Sequence, residues 1–96
     1  MIKHIIMIKF KPDTSEAQLA AIETGLAGLP AAIDEIISFE FGRDVVRADR
    51  SFDFALVAVF ADLAALERYQ VHPQHQQVAA LVRQAAAQVV AVDFHC

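Results

Sequence analysis

One cysteine, no tryptophan, three glycines and three prolines are scattered along a chain of 96 residues, and each scarcity excludes something. The lone Cys96 cannot close an intramolecular disulfide, so a reducing, cytoplasmic setting is expected. The glycines form no phosphate-cradling loop and no G-x-S-x-G elbow, and H-E-x-x-H and C-x-x-C are missing as well. No cofactor is therefore expected. Basic residues are few: 8 Lys plus Arg stand against 12 Asp plus Glu, a net charge of −4. Duplex nucleic acid wants a basic stripe, so it is not an expected partner. Long apolar runs are missing too. The longest, Phe54 to Ala61, is eight residues, where a spanning helix needs about 20. Lys3, His4 and Lys9 interrupt the aliphatics of the N-terminus, so neither a leader peptide nor a membrane partner is expected.

What the chain has in excess is apolar surface. The apolar share is 56%, above the usual level of about 45–50%, although a small domain has proportionally more surface to keep wet. The length suits one domain over residues 1–96. Ile2, His4, Ile6, Ile8 and Phe10 share one parity of the first segment, which is strand chemistry ended by Pro12. Asp13 and Glu16 have capping-box spacing, with Thr14 and Ser15 as rival caps. Leu19, Ile22, Leu26 and Leu29 then mark a helix over about 14–28, stopped by Gly28 and Pro30. A second strand is expected over 36–42 and a third over 52–60, joined by a charged hairpin loop that Val45 and Val46 could shorten. Asp62 opens a helix striped by Leu63, Leu66 and Tyr69. The helix breaks at His72-Pro73 and resumes with Val78, Leu81, Val82 and Ala85. Residues 89–95 alternate as a last strand. The order β-α-β-β-α-β predicts an α+β, ferredoxin-like fold: one four-stranded antiparallel sheet with its helices on a single face.

A sheet covered on one face should alternate apolar and polar residues. Here Ile5, Met7, Ala55, Val57, Val59 and one set from the last strand make the second parity apolar as well. A contiguous apolar patch marks an interaction surface. The expected partner is a second copy of the chain, sheet against sheet about a two-fold axis.

Chemistry has few candidates. Tyr69-Gln70-Val71-His72-Pro73-Gln74-His75 is the one dense polar constellation, and His4 shares the parity that faces the helices. A neutral imidazole beside a phenol can take a proton while the phenol donates to a carbonyl oxygen, which suffices for cofactor-free proton abstraction. The same residues serve structure equally well. His72 would cap the helix that Pro73 starts, His75 would bond a backbone carbonyl, and Tyr69 would be a core aromatic. His72 and His75 have a possible ligand spacing, but no cysteine or carboxylate nearby completes a shell, so no metal is expected. The mixed charges from Arg43 to Arg50 read as a solvated loop tip.

Together these segments resemble the stress-responsive A/B barrel domain family. The likeness runs over essentially the whole chain. It is carried by Ile2-Lys3-His4-Ile5-Ile6 with Lys9-Phe10-Lys11, by Phe52-Asp53-Phe54-Ala55-Leu56 and Phe60-Ala61-Asp62-Leu63, and most specifically by Tyr69-x-x-His72-Pro73-x-His75. The resemblance implies a ferredoxin-like fold that dimerises through its sheets into an α+β barrel. Many family members are stress-associated proteins without a known reaction. A plant member is a polyketide cyclase that closes a ring by aldol chemistry without a cofactor. Its tyrosine and histidine match Tyr69 and His75, and its first-strand histidine matches His4. A further pocket histidine of that cyclase falls on Phe54, which removes a polar group. The expectation is a homodimer with a small apolar ligand held near His4, Phe54, Tyr69, His72 and His75. The alternative is a cofactor-free enzyme acting on a carbonyl compound, with His75 as base, Tyr69 as carbonyl donor and His4 in support.

Overall fold

The computed structural model describes residues 1–96. Strand β1 (Ile2–Phe10) leads through Lys11–Ser15 to helix α1 (Glu16–Ala27) and a single helical turn, α2 (Leu29–Ala32). Strands β2 (Ser38–Arg43) and β3 (Phe54–Phe60) follow, then helices α3 (Leu63–Val71) and α4 (Pro73–Ala85), and strand β4 (Ala86–His95). The sheet is antiparallel throughout, in the order β2-β3-β1-β4. This is the ferredoxin-like arrangement expected from the order of elements.

Local chemistry explains most of the boundaries. Ser15 caps α1: its hydroxyl accepts from the Gln18 N–H while the Gln18 side chain accepts from the Ser15 N–H. The box is therefore Ser15 with Gln18, not Asp13 with Glu16, because a glutamine reaches back as well as a glutamate. Pro30 does not halt the chain's helical course. It sits in the first turn of α2, where a proline's missing N–H costs nothing. Leu63 points outward at 55% exposure, and the buried stripe of α3 is Ala65, Leu66 and Tyr69. The Asp62 carboxylate accepts from the Ala65 N–H and fixes that start. Phe52 and Asp53 precede β3 rather than beginning it. The Asp53 carboxylate instead accepts from the Phe10 N–H and from Arg47, tying the 44–53 loop to the end of β1. Strand β4 starts three residues earlier than its alternation suggests, directly from α4. The Ala85 carbonyl there accepts from the Lys11 N–H and the Thr14 hydroxyl.

The even-numbered residues of β1 and β3 face the helices. Ile2, Ile8, Phe54, Ala58 and Phe60 are buried against Ile22, Leu26, Leu29, Leu66, Tyr69 and Val78. Gly25 lets α1 approach α4 closely, since a Cβ at that position would stand 2.9 Å from a Val78 methyl. The opposite face is bare. Its rows are set by register: Ile5 lies between Val57 and Val92, Met7 between Ala55 and Val90, and Lys3 between Val59 and Phe94. Val92 is 59% exposed, and Met7 and Phe94 are nearly as open. The apolar excess of the composition lies on this face.

Candidate functional site

The helix-covered face is not filled evenly. A cavity of about 280 Å³ lies between β1, β4 and α4, with His4, Ile6, Leu56, Tyr69, His75 and Val78 among its walls. Ile6 is only half-buried although it points toward the helices, because the cavity lies over it. The sequence pattern groups His4, Tyr69 and His75, and the structure brings them together. The Tyr69 and His75 rings are 4.4 Å apart between centroids, and the His4 ring is 6.3 Å from that of Tyr69.

Each member is held by an identifiable contact. Tyr69 is 1% exposed, on the inner stripe of α3, with Phe60 4.8 Å away. Burial pushes its phenol well above the ordinary value, so it stays a neutral O–H donor at any physiological pH. Tyr69 is one of the residues that line the cavity. His75 follows the break at Pro73, one turn into α4. Its Nδ1 faces the Gln70 carbonyl at 3.1 Å. A carbonyl only accepts, so Nδ1 carries the hydrogen and Nε2 keeps its lone pair. Burial holds the His75 pKa below its usual range, and the neighbouring His4, Arg83 and His72 push the same way against the Gln70 contact. The imidazole is therefore neutral, with a bare nitrogen, at neutral pH.

His4 is 4% exposed and is the one buried polar residue of the sheet. Its Nδ1 bonds the Asp93 carboxylate directly across the β1–β4 pairing. The carboxylate accepts from the Nδ1 hydrogen, which turns Nε2 away from Asp93. Asp93 has no place in the sequence motif. Two clues could have found it: it is the single acidic residue of β4, and antiparallel pairing of the first and last strands of the chain sets it opposite His4.

Two expected ligand-binding residues lie elsewhere. Phe54 pairs with Ile8 rather than with His4, and Ala58, the partner of His4, is four residues away, or roughly 13 Å along the strand. Phe54 fills the other end of the core, with Phe41 stacked at 5.9 Å and Phe10 at 6.1 Å. Aromatic packing is the reason it is absent from the cavity wall. The His72 ring points away as well: its Nδ1 accepts from the Gln74 N–H and caps α4. No three histidine, cysteine or acidic side chains converge to hold a metal ion. No helix is long and apolar enough to cross a membrane.

Residues 2–96 match the model of the stress responsive A/B barrel domain. The chain belongs to that family. A stress-response A/B barrel domain-containing protein of Arabidopsis thaliana is 30% identical over 96% of this chain and 83% of its own length. Among solved structures, a dimeric ferredoxin-like protein of unknown function from Thermobifida fusca is 34% identical, with a TM-score of 0.91 over 99% of this A/B barrel domain and 90% of that chain. A hydroxynitrile lyase from Passiflora edulis has a TM-score of 0.86 at 22% identity, covering 97% of this domain and 90% of its own chain, a likeness of fold alone.

Proposed function

We propose that residues 1–96 act as a single-domain cytoplasmic homodimer, paired through the bare sheet face, and that each protomer holds a small, largely apolar carbonyl compound in the cavity beneath α4. One observation carries this reading: a buried phenol donor and two imidazoles with free Nε2 atoms meet at an apolar cavity. Titratable groups that burial shifts and that converge on one cavity are candidates for a site. Pairing is supported by the apolar rows around Ile5 and by the dimeric relative from Thermobifida fusca.

The fixed tautomer of His75 favours a second, catalytic reading of the same cavity. Nε2 takes a proton from the carbon beside a ligand carbonyl, the C–H electron pair forms a C=C bond, and the carbonyl π pair moves to the oxygen. The enolate oxygen is stabilised by the Tyr69 O–H, and the imidazolium returns its proton to the product. His4, oriented by Asp93, is a second base with its ring 6.3 Å from that of Tyr69. The hydroxynitrile lyase of the same fold acts on small molecules, as its name says. Deuterium exchange into 2-octanone, followed by NMR in heavy water, tests the step without knowledge of the natural substrate. Wild-type protein should accelerate exchange beside the carbonyl, and H75A should abolish the acceleration while remaining a dimer. Exchange at the buffer rate would remove the catalytic reading. A saturable shift of the His75 and Tyr69 ring signals by 2-octanone would still support binding.

A further inference from the structure

The polar groups around the cavity are one-sided. Of its 13 lining residues, His4, Tyr69, Gln70, His75 and Arg83 bring the polar side chains, and none is Asp or Glu. This holds in a chain with 12 acidic residues and a net charge of −4. Asp93 stands behind His4, with its carboxylate taken by the imidazole. The rest of the wall is mainly aliphatic, including Ile6, Ile8, Leu26, Leu56, Val78 and Val82. Arg83 is the wall residue with a permanent positive charge. Arg43, Arg47 and Arg68 each pair with a carboxylate, whereas Arg83 pairs with none. It lies on the exposed side of the mouth, eight residues beyond His75 on the same helix.

We propose that the cavity selects elongated ligands with a carboxylate at one end and an apolar body, and that Arg83 is the residue that sets this preference. The inference rests on the cavity being a ligand site at all. A guanidinium is planar and presents two N–H groups that match a carboxylate. At the mouth the carboxylate meets Arg83 without leaving water entirely, so the large cost of burying a charge does not arise. The apolar body replaces water along the aliphatic wall. Eight residues of helix put the Cα atoms of His75 and Arg83 about 12 Å apart, so a ligand touching both groups is extended. In the enzyme reading, the reacting carbon lies near Tyr69 and the carboxylate well away from it. Specificity and chemistry then fall to different ends of one molecule.

Calorimetric titration with octanoate and with 1-octanol separates the contributions. Both have the same chain length, and only octanoate carries the charge. Wild-type protein should bind octanoate more tightly, by roughly two- to fivefold, as expected of an ion pair at an exposed mouth. R83Q should lose that preference while binding 1-octanol as the wild type does. Arg83 is exposed, so R83Q should unfold at the wild-type urea midpoint. Equal binding of the two ligands by wild type, or a preference that survives in R83Q, overturns the role of Arg83 and leaves the cavity reading standing. Binding of neither ligand overturns the cavity reading and this inference with it.

Discussion

The two faces of the sheet are built from neighbouring residues of the same strands, yet they solve opposite problems. Along β1, His4, Ile6 and Ile8 turn toward the helices, and Ile5 and Met7 turn away. The covered face buries its aromatic residues and still leaves a hollow with the Tyr69 phenol in its wall. The bare face is mostly apolar and carries no histidine or tyrosine, with Glu40 beside Val57 on its β2 side. Such a division suits a protein whose assembly is generic and whose selectivity lies in a few inward side chains. A change on one face should therefore leave the other's readout untouched.

The largest effect is expected from a charge on the bare face. Val57 lies beside Ile5 at its centre, and V57E would bury a carboxylate against apolar partners, at a cost of several kcal/mol per ion. Sedimentation velocity at micromolar concentration should show a dimer for wild type and a monomer for V57E. A variant that stays dimeric would place the contact elsewhere. Next comes the covered face. Phe60 is wholly buried against Tyr69, so F60A should lose about 3–5 kcal/mol in urea unfolding. Loss of less than 1 kcal/mol would show that the helices close over the gap.

How much of this division was visible in the sequence depends on the residue. The strand order, the helix break at Pro73 and the apolar second parity are periodicity and turn chemistry, which one-dimensional pattern carries well. Tyr69 and His75 are close in sequence, so a local motif exposes them. Asp93 is 89 residues from His4, and only the β1–β4 pairing makes them neighbours. Phe54 lies away from this cavity for a related reason. Parity gives the face of a strand correctly, but not the distance along it, and an aromatic partner on β2 decided where the ring went. Arg83 carries no pattern at all; it matters because it is the arginine on this wall and has no acid beside it.

A smaller effect is expected from pH. The folded-state pKa of His75 lies below the ordinary imidazole value of about 6.5, so the unfolded chain takes up the proton first as pH falls. The stabilisation is complete above about pH 6.5 and is lost as pH drops through that value toward the lowered one. Asp53, held low by the Phe10 N–H and Arg47, and the arginine-paired Glu16 and Glu35 titrate at lower pH. The urea midpoint should therefore fall between pH 7 and 5.5 for wild type and fall less for H75Q. An identical slope in both proteins would contradict the neutral, desolvated state of His75.

The smallest effect belongs to neither face. Arg68 bridges to Glu35 across the surface at 2.7 Å, and an exposed pair is typically worth about 0–1 kcal/mol. E35Q should shift unfolding by no more than that and should alter neither mass nor ligand binding. A larger shift would mean that the α2–α3 junction governs the core more than the packing indicates.

The division between the faces is tested most directly by one NMR titration of wild-type dimer with 2-octanone, reading aromatic and methyl signals together. The expected result is saturable movement of the His4, Tyr69 and His75 ring signals, with the Val57 and Val92 methyls unmoved. Movement centred on Val57 and Val92, or no movement on either face at saturating ketone, would contradict it.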